Sequence, residues 1–178
     1  MKLIVAVDKD WGIGFKGQLL QRIPEDMKFF KSTTLGKVVV MGRETFESLP
    51  GKEPLKDRVN IVLSKNPAFI NHGITICRSL EELFKELEKY KQEDVFVIGG
   101  ESIYLQLHPY CSQAYVTKIQ DSYVADKYFM DMDNQGDWKI VEISEVKEHQ
   151  RIKFNFVRYE KCEEIKNNVM KNIKNADV

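Results

Sequence analysis

The chain has 178 residues, 43% of them hydrophobic and 30% charged, a balance that suits one soluble globular domain with a sizeable core. Lys plus Arg and Asp plus Glu each number 27, which argues against a nucleic-acid binder held by bulk positive charge. No stretch approaches the roughly 20 apolar residues of a membrane span, and the scattered Cys77, Cys111 and Cys162 match neither a disulfide framework nor a zinc site, so the expected setting is the cytoplasm, with reduced thiols and no metal.

An apolar run, LIVAV (3–7), opens the chain as a strand and is too short for a signal segment. GIGFKG (12–17) follows, with Gly12, Gly14 and Gly17 at the G-x-G-x-x-G spacing of a dinucleotide-binding fingerprint. A working fingerprint leaves its strand at a tight turn, opens a helix, and has an acid about 20 residues on. Here DKDW separates the strand from Gly12, six residues lead from Gly17 to Pro24, and the second strand ends in Met41-Gly42-Arg43. The motif therefore reads as a mobile, glycine-hinged loop carrying Ile13, Phe15, Leu19 and Leu20, able to close over a ligand.

PEDMKFFKSTT (24–34) is a predicted helix, with Pro24 at its first turn and two acids at the positive end of its dipole. Both acids suit a plain helix start. At about 100° per residue, Ile23, Met27, Phe30 and Thr34 fall on one stripe. Asp26 lies on the shoulder of that face beside Phe29 and Phe30, and Glu25 falls on the far side with Lys28 and Ser32. A carboxylate among aromatic rings is costly unless paired or hydrogen-bonded. Burial raises its pKa, which is how a functional acid is prepared.

KVVVMG (37–42), NIVLS (60–64), VFVIGG (95–100) and AYVTKI (114–119) are further strands. RETFESL, SLEELFKELEKYK and ESIYLQL are the helices between them, the second with Leu80, Leu83, Phe84 and Leu87 in helical spacing. This alternation implies a largely parallel sheet covered on both faces. VVVMGRET and FVIGGESIY place backbone N–H groups at helix N-termini, where phosphates bind, and Thr45 is a candidate cap. Arg43, Lys65 (after Ser64) and Arg78 form a line of cations at strand ends, where ligands bind in open α/β sheets. Positive charge in place of an acidic ribose partner points to NADP. The plain alternative is three ordinary strand-to-helix turns. Beyond residue 120, WKIVEISEV and RIKFNFVRYE alternate apolar and polar residues, with KEHQ between them, as an antiparallel hairpin on the sheet edge. Ile165, Val169, Met170 and Ile173 share one face of a final helical or frayed stretch without chemistry.

Taken in order, LIVAV, GIG, RIPEDMKFFK, VVVMGRETFESLP, LKDRVNIVLS, VIGGESIY, YVTKI and DKYF resemble the dihydrofolate reductase family over residues 1–160. The resemblance implies an α/β fold with an eight-stranded, mostly parallel sheet, helices on both faces and a C-terminal antiparallel hairpin. The domain would span 1–161, leaving 162–178 as a C-terminal extension. It implies NADPH as cofactor, 7,8-dihydrofolate as substrate, antifolates as ligands and a role in one-carbon metabolism. Hydride would pass from nicotinamide C4 to pterin C6, with protonation at N5.

By the same resemblance, Asp26 holds the pterin 2-amino and N3 groups and aids protonation through water, with Thr117 as its hydrogen-bond partner. Leu19, Met27, Phe30, Leu49 and Leu55 enclose the pterin and aminobenzoate, and Arg58 grips the glutamate α-carboxylate, which suits a bidentate guanidinium. The backbones of Ile4 and Ile98 face the 4-amino group of antifolates, Val5 and Ala6 line the wall, and Tyr104 lies near the nicotinamide. Ala6, Ile13, Gly42, Arg43, Thr45, Leu63, Ser64, Lys65, Arg78 and the turn Gly99, Gly100, Glu101, Ser102 and Ile103 hold NADPH, with a cis Gly99–Gly100 peptide. One departure stands out: Gln21 occupies a position where tryptophan is common, and Leu20 replaces a proline. The Gln21 amide is a candidate to hold the water beside the acid. A monomer is expected, because no apolar surplus remains once the core is assigned. Two alternatives stay open: a same-fold reductase of ribosylated pyrimidines in riboflavin synthesis, against which Asp26, Phe29, Phe30 and Arg58 argue, and a non-catalytic NADPH-binding module, against which the Asp26–Thr117 pair argues.

Overall fold

The computed structural model describes residues 1–162; the helical face expected of Ile165, Val169, Met170 and Ile173 lies outside them. Eight strands form one hydrogen-bonded path: β10 (Trp138–Ile143), β12 (Ile152–Lys161), β8 (Gln113–Ile119), β1 (Lys2–Val7), β7 (Val95–Gly99), β4 (Val38–Gly42), β5 (Val59–Leu63) and β6 (Thr75–Cys77). From β8 to β6 all neighbours are parallel, and β12 and β10 add antiparallel edges. The run Val38–Met41 is buried at every position. Such continuous apolar strands suit a parallel sheet covered on both faces.

Successive residues of β4 enter different cores. Val38 and Val40 join Leu3, Val5, Val7, Leu83, Leu87 and Leu107 on the side of α3 (Leu80–Leu87) and α4 (Glu101–Leu107). Val39 and Met41 pack with Phe46 of α2 (Arg43–Ser48) on the other side. The second side also carries α1 (Pro24–Thr34), anchored by Ile23 packing with Ile119 and Phe154.

Two boundaries differ from the sequence expectation. The third helix stops at Leu87 and does not include Lys89-Tyr90-Lys91, because the chain must turn back to enter β7 at Val95. KEHQ is not merely a connection: β11 (Lys147–His149) pairs with β12, and the reversal falls at Gln150 and Arg151, both at positive φ. That turn needs φ > 0 at both central residues, a conformation normally signalled by Asn or Gly; the absence of that signal hid it. No helix among the described residues is long and apolar enough to cross a membrane.

Candidate active site

Thr117 on β8 pairs in register with Ala6 on β1. Its hydroxyl donates to Asp26 Oδ1 at 2.6 Å. Thr117 is only 2% exposed, so this bond holds a carboxylate against the sheet. Burial pushes the Asp26 carboxyl above its ordinary value, and the Thr117 hydrogen bond opposes the rise. The helix is fixed by Ile23 at its start and by Phe29, whose ring lies 4.4 Å from Phe156 and 6.3 Å from Tyr115. Glu25 points to solvent as expected and meets His149 Nδ1 at 3.6 Å. Met27, placed by helical periodicity on the inward stripe, is 44% exposed, and Leu19 is 53% exposed. The sheet takes Phe29 instead, because Tyr115 and Phe156 stand opposite it.

Leu49, Leu55 and Ile98 pack half-buried around Val39, Met41, Phe46 and Val62. Ile4 is buried, and its carbonyl accepts the Tyr104 hydroxyl at 2.7 Å. Val5 turns its side chain into the opposite core, so only its backbone is available to a ligand on the Asp26 side. Arg58 Nη1 donates to Thr34 Oγ1 at 3.2 Å and Nε to Lys56 O at 3.0 Å. The guanidinium thus sits by the C-terminal end of α1, with two of its five N–H donors employed. It lines an open cleft of about 640 Å³ with Lys52, Leu55, Lys56 and His72.

Two glycine turns lie side by side, because β4 and β7 are neighbours with Met41 opposite Gly99. Gly42 caps α2 and Gly100 caps α4. A Cβ at Gly42 would lie 3.0 Å from Ile103 Cγ1, and Cβ atoms at Gly99 and Gly100 would lie 3.3 and 3.2 Å from Thr45 Oγ1. Gly99 has φ 129° and the Gly99–Gly100 peptide is cis. Thr45 therefore does not cap its helix; its hydroxyl faces the glycine pair. Glycine lets the two turns pack closely against Ile103 and Thr45 at two adjacent helix starts, whose N–H groups suit a dinucleotide's phosphates.

The cations are unequal. Arg43 Nη1 is paired with Glu47 Oε2 at 2.7 Å. Arg78 donates to the carbonyls of Ser64, Asn66 and Phe69, at 3.1, 2.6 and 2.8 Å, and so braces the loop after β5. Lys65 is exposed and Ser64 is buried beside it. Ser102 accepts from Gln106 Nε2.

GIGFKG is not an irregular loop. Gly12–Phe15 is a strand, β2, in a second sheet, paired with β3 (Gln18–Leu19) and β9 (Lys127–Tyr128). Of the motif's three glycines only Gly17 has positive φ, at 75°, in a turn it shares with Lys16 at φ 48°. Gly12 is glycine because a Cβ would lie 2.8 Å from Ala125 Cβ, and Gly14 because one would lie 3.0 Å from Gln18 O. Asp8 holds the root of this flap: Oδ1 accepts Gly12 N at 2.7 Å and Asp10 N at 2.9 Å, and Oδ2 accepts Tyr123 N at 2.9 Å. Asp126 accepts Lys16 N at 2.9 Å and its own N–H donates to Gly14 O at 3.0 Å.

The dihydrofolate reductase family model matches residues 1–161. The chain belongs to the dihydrofolate reductase family. It is 33% identical over 163 residues to the dihydrofolate reductase of Bacillus subtilis (strain 168), covering 90% of this chain and 94% of that one. It is 37% identical over 143 residues to that of Staphylococcus haemolyticus, covering 80% and 83%. The structure of dihydrofolate reductase from Enterococcus faecalis complexed with NADP(H) and RAB-propyl superposes with a TM-score of 0.81 at 32% identity, covering 91% of this chain and 96% of that one.

In this member of the dihydrofolate reductase family, the fold brings Asp26, Thr117 and Ala6 to one face, and Gly42, Thr45, Gly99, Gly100 and Ile103 to one pair of turns. Leu63 and Ile13 pack half-buried against the larger core. Gln21 lies half-buried between β3 and α1. Sequence reasoning missed Asp8, which is 2% exposed, and the aromatic ladder in which Trp11 meets Phe129 at 6.4 Å and Phe129 meets Tyr104 at 4.9 Å. The only signal for Asp8 was an acid between a strand and a glycine; the ladder left none, because its rings come from distant segments.

Proposed function

We propose that the chain reduces 7,8-dihydrofolate to 5,6,7,8-tetrahydrofolate with NADPH, that residues 1–161 carry the reaction, and that it works as a cytoplasmic monomer in one-carbon metabolism, supplying thymidylate and purine synthesis. The observation that carries this reading is the Asp26–Thr117 hydrogen bond at 2.6 Å, which leaves a sheltered carboxyl beside a sheet whose neighbouring strands end in two glycine turns.

Bound NADPH would supply the hydride, from nicotinamide C4 to pterin C6. Gly42, Arg43, Thr45, Ser64, Lys65 and the Gly99–Ile103 turn would hold it, with backbone N–H groups taking the phosphates and Lys65 the main cation for a 2′-phosphate. Asp26 accepts hydrogen bonds from the pterin 2-amino and N3 groups. Its raised pKa lets it hold a proton closer to neutral pH than an exposed Asp would, and so support protonation of N5 through water. Thr117 fixes the orientation of that carboxyl, and the Gln21 amide orients the water. Met27, Phe30, Leu49 and Leu55 surround the rings and exclude solvent, and Arg58 takes the α-carboxylate in a bidentate grip. Diaminopyrimidine antifolates compete for the same carboxyl.

The test is loss of absorbance at 340 nm with NADPH and dihydrofolate, with and without a diaminopyrimidine antifolate. Antifolate-sensitive oxidation that requires dihydrofolate is expected. Its absence, with NADPH and folded protein present, overturns the reading.

A further inference from the structure

We propose that Glu101 is a positioning residue that straps the three-stranded flap to the cofactor turn, so that the two close as one unit. The proposal rests on the reading of the Gly99–Gly100 turn as the nucleotide site.

β9 is an edge strand, paired with β2 on one side alone. An edge strand presents unpaired N–H groups outward. The outward N–H of Tyr128 instead donates to Glu101 Oε1 at 3.0 Å. Glu101 is the first residue of α4 and directly follows the glycine pair. Its side chain therefore joins the flap's edge to the turn that would hold phosphate. The other flap acids do different work: Asp126 bonds within the flap, and Asp8 holds the root of β2. A second link runs beside the strap through packing. Phe129 N donates to Trp11 O at 2.8 Å, and the Phe129 ring abuts Tyr104 of α4. That link is buried; Glu101 makes the exposed one, which can break and re-form as the flap moves.

The charge of Glu101 gives the strap a direction. A phosphate at the turn repels a carboxylate pointing inward and leaves the outward rotamer, bonded to Tyr128, favoured. Cofactor binding then strengthens the strap, and by reciprocity the strap strengthens cofactor binding.

The test is amide hydrogen exchange on the full chain, comparing wild type, Glu101→Ala and Glu101→Gln, with and without NADPH. In cofactor-free protein, Glu101→Ala is expected to speed exchange of β9 and β2 by about 10-fold, the scale of one lost hydrogen bond to a charged group, with β1 and β8 unchanged. Glu101→Gln keeps an acceptor oxygen without the charge and falls between wild type and Glu101→Ala. NADPH protects the flap more in wild type than in Glu101→Ala, whose KM for NADPH rises several-fold while kcat changes less. Unaltered flap exchange in Glu101→Ala, or equal acceleration throughout the chain, overturns the strap; equal NADPH protection in both proteins overturns its coupling to the cofactor. If wild type shows neither NADPH protection nor dihydrofolate-dependent oxidation, the nucleotide-site reading falls, and with it the coupling, while cofactor-free exchange still decides the strap.

Discussion

Asp26→Asn separates the chemistry of the acid from its geometry. Asn keeps an oxygen where Thr117 donates at 2.6 Å, so packing is conserved and only the charge and the proton are removed. Turnover at neutral pH should fall on the order of 10²-fold or more, with NADPH binding retained, because the glycine turns are built by other elements. Stability should move the opposite way. Burial makes the folded protein hold the Asp26 proton more tightly than the unfolded chain does, so the ionised carboxylate costs stability at any pH above its folded pKa. Each unit of such a shift is worth about 1.4 kcal/mol, and about 1 kcal/mol moves the Tm of a domain this size by roughly 2–4 °C. Asp26→Asn should therefore melt above wild type at pH 8. As pH falls through the folded pKa, wild type takes up its proton and the gap closes; it is gone below the unfolded reference of 3.8. Calorimetry from pH 3.5 to 8 and the 340 nm assay check both arms. No gain at pH 8, or one that persists at pH 3.5, refutes burial as the cause of the shift, and near-normal turnover removes Asp26 from the proton path.

Replacing both Arg43 and Lys65 with Gln should raise the KM for NADPH by roughly 10-fold or more, the scale of a lost charge-assisted contact, and leave that for NADH nearly unchanged. Lys65→Gln should account for most of the effect, since Arg43 is already paired with Glu47; an unaltered preference for NADPH over NADH would put the 2′-phosphate elsewhere. Gly12→Ala should destabilise by about 1–3 kcal/mol through overpacking, because its Cβ would lie 2.8 Å from Ala125 Cβ; a thermal melt equal to wild type would refute the close-approach account of that glycine. Arg58→Lys should raise the KM for dihydrofolate about 10-fold by losing bidentate geometry, with kcat held. A pterin lacking the glutamate tail should show no such change, and an equal rise for both substrates would remove Arg58 from carboxylate recognition.

The sequence was most legible where a single element carries the whole signal. Continuous Val-rich runs gave the parallel strands, and helical spacing put Asp26 inward and Glu25 outward. It was least legible where two segments meet. Gly12 and Gly14 looked like hinges because glycine suits both mobility and close approach, and only the positions of Ala125 and Gln18 distinguish the two. The bracing of the 64–69 loop by Arg78, which donates to three of its backbone carbonyls, was equally hidden. That Phe29 is the ring packed on the sheet was not legible, because helical periodicity fixes angles about an axis, whereas Tyr115 and Phe156 decide which angle the sheet covers.

The sequence by itself determined the α/β class, the order of the strands along the chain, the inward acid on the first long helix and the two glycine turns. Each follows from local periodicity, capping and backbone freedom, which are written within a dozen residues. The tertiary structure alone decided that β4 and β7 are neighbours, so that their turns lie side by side, and that Glu101 meets the flap's edge at Tyr128; the Asp26–Thr117 contact, across 91 positions, was expected only through the family resemblance. Those contacts depend on strand order in space and on chain closure, and no local pattern encodes them.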